Sequence, residues 1–232
     1  MLTVHHLQRS QSERIVWLCE ELGIPYELKC YPRSPLFAPP KIKALTHMGG
    51  APIITDTSFD PSNPLILAES GAIMEYIIHK HGEGRLALPP SHKNYCDYLY
   101  WFHQSNSNLQ PSIFRAMLLG TLKLGPEHPV QKNVESRLKT VLDMLNDRLS
   151  QVCWLAGEEF TAADIMTVVS VSTMRLFYTI DLTGYGGILA WLQRVGQRPA
   201  YKTAIEKGDP GMVPSLGAEP PELFPAWAAA TQ

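Results

Sequence analysis

The chain has 232 residues, 45% of them hydrophobic and 18% charged, so it is too apolar for disorder and long enough to bury one large core or two modest ones. A formal charge of −2 with no run of Lys or Arg leaves no electrostatic footprint for nucleic acid or an anionic membrane, and points to a small molecule or a second copy of the chain as partner. The four cysteines, Cys19, Cys30, Cys96 and Cys153, form no Cys-x-x-Cys pair, which argues against a zinc site or a thioredoxin redox motif and fits a reduced, cytoplasmic setting.

From the N-terminus, residues 2–7 read as a short strand, and the opening segment has no apolar signal-peptide core. The spacing of Ile15, Leu18, Cys19 and Leu22 predicts a helix that Gly23 and Pro25 end. Tyr26–Tyr31 reads as a second strand. A proline-rich loop follows, then a short polar helix over residues 41–46, strands at Ile53–Thr55 and Leu65–Leu67, and a helix over residues 71–79. Strands interleaved with helices argue for an α/β domain over residues 1–82. The glycines and prolines of residues 83–91 mark a linker, and from residue 92 to 208 the period is helical throughout. Val134, Leu138, Val141, Leu142, Leu145 and Leu149 form one apolar face, while Ile165–Met174 is apolar nearly all round and belongs at the centre of a bundle. The Gln110-Pro111 step predicts a kink or break. Residues 209–232, with five prolines, read as an extended tail. No stretch is long and apolar enough to span a membrane.

Several short motifs could carry chemistry. Ser10 with Glu13 fits a capping box at the first helix; a hydroxyl beside open N–H groups also favours an anion such as a thiolate. Ala51-Pro52 stands directly before a strand, where a trans proline is the common case and a cis bond would expose backbone groups to an extended peptide. Glu69-Ser70 precedes a helix, with Ser70 as a candidate N-cap; acid, hydroxyl and open N–H groups together suit a ligand bearing both amino and carboxylate groups. Thr161 and Asp164 open the most apolar helix as a structural capping box. The histidines show no metal spacing, so no metal is expected.

These four motifs, in this order and spacing, resemble the glutathione S-transferase superfamily, and LTVHHLQRSQSERIVWLCEELGIPYELKCY with FTAADI is similar to its serine-type fungal and bacterial branch. The resemblance covers residues 1–207. It implies a thioredoxin-like N-terminal domain, an all-helical C-terminal domain, glutathione as co-substrate or cofactor, and a homodimer. Carried over, Ser10 bonds the glutathione sulfur, with Ser12 as fallback. Ala51 pairs with the cysteinyl part ahead of a cis Pro52, and Glu69 and Ser70 hold the γ-glutamyl end. Gly49-Gly50 stand where many relatives place a basic or polar residue, leaving Lys41, Lys43 or His47 to meet the glycyl carboxylate. Phe102, Asn106, Phe114, Met117 and Phe177 are candidates for the wall of a hydrophobic-substrate pocket, which Phe224 and Trp227 of the tail could cover. Three functions fit: conjugation to a hydrophobic electrophile, glutathione-dependent double-bond isomerisation in secondary metabolism, or ligand binding without turnover.

Overall fold

The structure, a computed structural model, describes residues 1–231. Two compact units divide it: residues 1–88 with 196–214, and residues 89–195 with the chain from Ser215 onward.

In the first unit β1 (Leu2–Leu7) is buried along its whole length, at the centre of a four-stranded mixed sheet. The helix α1 (Glu13–Leu22) carries the chain over to β2 (Glu27–Tyr31), so β1 and β2 pair in parallel, as a helical crossover requires. On the other side β3 (Ile53–Asp56) runs antiparallel to β1, and β4 (Leu65–Ala68) antiparallel to β3, giving the order β2-β1-β3-β4. The predicted stripe of α1 is its buried face, and the helix stops at Gly23, whose φ of 63° is the left-handed cap that a side chain resists. Between β2 and β3 a single turn, α2 (Pro40–Lys43), replaces the longer helix expected over residues 41–46. α3 (Ser70–Lys80) closes the unit's first pass along the chain, burying Ile73, Met74, Ile77 and Ile78.

The second unit is helical. α4 (Tyr95–Gln104) passes into a π-helical turn, Ser105–Leu109, and then α5 (Gln110–Gly120), with Pro111 in its first turn. The helical backbone runs through this turn without a gap, and the proline, which has no N–H to give, follows directly on the five-residue π-helical register in which Gln110 N–H bonds the Ser105 carbonyl. α6 (Pro129–Gln151) buries Leu138, Val141, Leu142, Leu145 and Leu149, and every residue of α7 (Ala162–Val171) is buried. The Thr161–Asp164 capping box forms as predicted. Asp164 also accepts from the Leu155 N–H and from Trp191 Nε1 of α8 (Gly186–Gln197), both at 3.0 Å. Burial pushes this carboxyl up to about 6 against the pull of those bonds.

Past α8 the chain returns to the first unit, which a purely sequential division at residue 92 does not provide for. α9 (Pro199–Gly208) belongs with α1: Tyr201 meets Trp17 edge-on at 4.8 Å, and Arg198 grips both oxygens of Glu21 at 2.6 and 2.7 Å. Residues 215–231 rejoin the helical unit, and the expected extended tail ends in a helix, α10 (Pro225–Thr231). Gln232 lies outside the described residues. Among those described, no helix is long and apolar enough to cross a membrane.

Candidate functional site

β1 ends at Leu7, and the chain turns through residues 8–12 before α1 begins. The expected capping box at this corner does not form. Ser12, not Ser10, precedes the helix, and the Ser10 hydroxyl turns back on its own loop: it donates to the Leu7 carbonyl at 2.7 Å, accepts from the Ser12 N–H at 3.2 Å and lies 2.7 Å from Ser12 Oγ. A left-handed residue, Arg9 (φ 51°), makes the turn tight enough for this. Ser10 is half-buried, whereas Ser12 is 0% exposed, its oxygen shared among the Leu7 N–H, the Leu7 carbonyl and His6 Nδ1. Of the two serines, only Ser10 is accessible to solvent.

Ala51-Pro52 is cis, the rarer of the two forms weighed from the sequence. The Ala51 carbonyl accepts from Gln11 Nε2 at 3.0 Å, which ties this bend to the start of α1. Glu69 is exposed and adopts φ 72°, a conformation that non-glycine residues rarely hold and that recurs at functional sites. The helix boundary shifts by one residue: Glu69 is the N-cap of α3, and Ser70, expected as the cap, is the first helical residue. Its hydroxyl instead receives Arg14 Nη1 at 3.4 Å, while the same nitrogen donates to Gln11 Oε1 at 3.2 Å. Arg14 is thus a fully buried cation joining all three motifs. Burial draws its guanidinium down to about 9 and Glu13 opposes that, so it stays charged at neutral pH. Sequence reasoning missed both Gln11 and Arg14. The signal was there for Arg14, which stands four residues before Leu18 and hence on the apolar face of α1.

The remaining candidates lie elsewhere. Lys41 is exposed on α2, and His47 is exposed in the loop after it. In the helical unit Asn106 sits on the π-helical turn, Phe114 is 48% exposed and Met117 is half-buried on α5. Phe102, at 1% exposed, is a core residue against Tyr98 and His103 rather than a surface wall. Phe177 stacks with Phe224 and Trp227 at 5.6 and 6.3 Å between ring centres, so the aromatic residues of the tail do converge on it. No group of three His, Cys, Asp or Glu side chains among the described residues is arranged to hold a metal.

Two family models match the chain: glutathione S-transferase, N-terminal domain, over residues 9–80, and glutathione S-transferase, C-terminal domain, over residues 109–199. Over 222 residues the chain is 31% identical to glutathione S-transferase 3 of Schizosaccharomyces pombe, covering 89% of this chain and 88% of that one. A crystal structure of a glutathione S-transferase from Actinobacillus pleuropneumoniae is similar at a TM-score of 0.78 and 30% identity, over 90% of this chain and 93% of that one. A glutathione transferase from Burkholderia graminis, solved with two glutathione molecules bound per subunit, shares the fold at a TM-score of 0.70 and 22% identity, over 90% and 89% of the two chains. With an open hydroxyl corner beside a sheet of the right order, a helical second unit and matches along both, the chain belongs to the glutathione S-transferase family.

Proposed function

We propose that the protein binds glutathione on its first unit and that Ser10 stabilises the glutathione thiolate for attack on a hydrophobic electrophile. The observation that carries this is the half-buried Ser10 after the end of β1, next in the chain to Gln11, which with Arg14 bridges to Ala51 and Ser70. Relatives named glutathione S-transferases, and a solved structure of the same fold that holds glutathione, support the choice of ligand. A free thiol with a pKa of roughly 8.5 is only a few per cent ionised at neutral pH, and each unit of depression takes about 1.4 kcal/mol of preference for the anion. One charge-assisted hydrogen bond from Ser10 is of that size.

In this reading Ala51 pairs its backbone with the cysteinyl part, and Glu69 meets the γ-glutamyl amino group. The start of α3 at Ser70, with the Arg14 cation behind it, takes the γ-glutamyl carboxylate. Lys41 and His47, exposed on and after α2, are left to meet the glycyl carboxylate. Serine at this corner, in place of cysteine, favours conjugation over mixed-disulfide chemistry and accords with the serine-type branch. Asn106, Phe114, Met117 and Phe177 are the proposed wall for the electrophile, with Phe102 as packing beneath. The reading includes a homodimer, supported by the unpaired edge of β4 and its exposed Leu65 and Ile66.

The test is calorimetric titration with glutathione together with the ultraviolet absorbance of its thiolate. Saturable binding with a thiolate signal at neutral pH is expected in the natural chain. Ser10→Ala is expected to fold and bind glutathione yet lose on the order of a hundredfold in kcat; undiminished activity in that variant sinks the assignment. Following whether glutathione is consumed separates conjugation from isomerisation, which returns it.

A further inference from the structure

We propose that Ser12, His6 and Asp209 form a buried relay behind Ser10, which accepts the thiol proton of bound glutathione; the inference rests on the glutathione reading above. The four side chains stand in line. Ser10 Oγ is 2.7 Å from Ser12 Oγ, Ser12 Oγ is 2.9 Å from His6 Nδ1, and His6 Nε2 is 3.0 Å from Asp209 Oδ2. Ser12, His6 and Asp209 are 0%, 1% and 3% exposed, so the line opens to solvent only at Ser10. The carboxylate is held from its other side too, since Asp209 Oδ1 accepts the Arg9 N–H at 2.9 Å. Against the ring lies Gly208, where an added Cβ would stand 2.9 Å from His6 Nε2; the backbone comes this close because there is no side chain.

The polarity of the line follows from its ends. A carboxylate facing Nε2 is an acceptor, so the ring hydrogen sits on Nε2 and leaves Nδ1 as an acceptor in turn. The Ser12 hydroxyl then donates to Nδ1 and the Ser10 hydroxyl to Ser12 Oγ. The Leu7 carbonyl, 2.7 Å from Ser10 Oγ and 3.2 Å from Ser12 Oγ, competes for the same hydrogens and steadies both hydroxyls when no thiol is present.

A thiol donating to Ser10 Oγ completes the line. Its S–H bond breaks and the sulfur keeps the electron pair. Ser10 gains that proton and passes its own to Ser12, and Ser12 passes its own to Nδ1. Three bonds to hydrogen break and three form. The sulfur ends with one negative charge and His6 with one positive charge, paired with Asp209. The Ser10 O–H now points at the thiolate, so the hydroxyl that passed the proton also stabilises the anion. Among the ionisable groups nearby, Cys30 is in register with His6 across β1 and β2, and the Arg33 guanidinium feels the charge of Asp209. His6 and Asp209 touch no substrate and act through the serines as positioning residues.

A buried His–Asp pair could instead serve only to clasp the C-terminal segment onto β1, and the two roles separate by pH. In the full-length protein, thiolate absorbance of bound glutathione and kcat are measured against pH for the natural chain, Asp209→Asn and His6→Gln. Both variants are expected to bind glutathione with unchanged affinity while the ionisation midpoint rises by about one pH unit. Their kcat is expected to fall by up to about tenfold at neutral pH, as the one-unit shift requires, and to recover toward the natural value in alkali, where the thiol ionises unaided. A lowered melting temperature with an unshifted midpoint overturns the relay and leaves the clasp. Should His6→Gln not fold, Asp209→Asn and Gly208→Ala carry the same comparison. If the natural chain binds glutathione without ionising it, the thiolate reading itself fails and the relay with it; a shift absent only from the variants rejects the relay alone.

Discussion

Three hydrogen bonds converge on the Asp56 carboxylate at the end of β3: from the Tyr76 hydroxyl at 2.9 Å, His81 Nε2 at 2.6 Å and the Ser58 N–H at 2.8 Å. Burial on its own would raise this group, but bonds from Ser58, His81 and Tyr76 prevail and hold it near 2, below the ordinary 3.8. Because the folded value is the lower one, the stabilisation is fully present above about pH 4 and is lost as the pH falls toward 2. It amounts to about 2 kcal/mol. Asp56→Asn is therefore expected to lower the melting temperature at pH 7 and to flatten the acid limb of a stability–pH curve between pH values of about 4 and 2. An unchanged acid limb would falsify this account of Asp56. At this scale the sequence was most readable where neighbours are close in the chain. Glu69 and Ser70 stand together because they are adjacent, and Ser10 was recognisable from its place before α1. The hydroxyl's actual partners were not, since a capping box and a turn back to Leu7 use the same residues, and the left-handed Arg9 that goes with the turn is no glycine to mark it.

At the scale of elements, the C-terminal segment of the helical unit hangs on one side chain. Arg175, 0% exposed in the short 3-10 turn Thr173–Leu176, donates to the carbonyls of Ile180, Ser215, Gly217, Ala218 and Glu219 at 2.6–3.2 Å. Arg175→Met keeps the apolar stem and removes every donor, leaving the buried Ile180 carbonyl and the carbonyls of Ser215, Gly217, Ala218 and Glu219 without this partner. It is expected to cost at least about 2 kcal/mol and to speed amide exchange through residues 215–231 while α7 stays protected. Exchange that accelerates equally in α7 argues instead for loss of the whole unit. No sequence pattern announces such a strap, because its acceptors are backbone carbonyls, which every residue has. α10 is a different case. Pro225 followed by Ala226, Trp227 and three alanines is a proline at the first helical position ahead of strong helix formers, a readable signal that the density of prolines upstream obscured. The π-helical turn before Pro111 was legible as a break but not as a kind of break, since a single inserted residue changes the backbone register without any residue type of its own.

For the whole molecule, β4 is an edge strand paired only with β3, and its Leu65 and Ile66 are 38% and 50% exposed, which suits an edge covered by a partner. Sedimentation equilibrium is expected to give twice the chain mass at micromolar concentration, and Ile66→Glu to shift the protein toward monomer. A natural chain that sediments as a monomer throughout rejects the dimer. The two-part architecture was visible in the change of period near residue 90; the return of α9 to α1 was not, for contacts over that separation leave no local trace. His6 and Asp209 were hidden for the same reason, 203 residues apart and each unremarked in its own segment.

That separation also orders events during synthesis. Translation delivers β1 with His6 and both serines first, and β3 and α3 soon after, so the elements proposed to hold glutathione exist long before the carboxylate that completes the line behind them. Asp209 arrives only after the helical stretch from Pro89 to Val195 has been made. On the proposed relay, a nascent chain that ends in the helical unit carries Ser10, Ser12 and His6 but neither α9 nor the carboxylate paired with the ring. On that relay, the order of synthesis thus sets the order in which binding and activation become available.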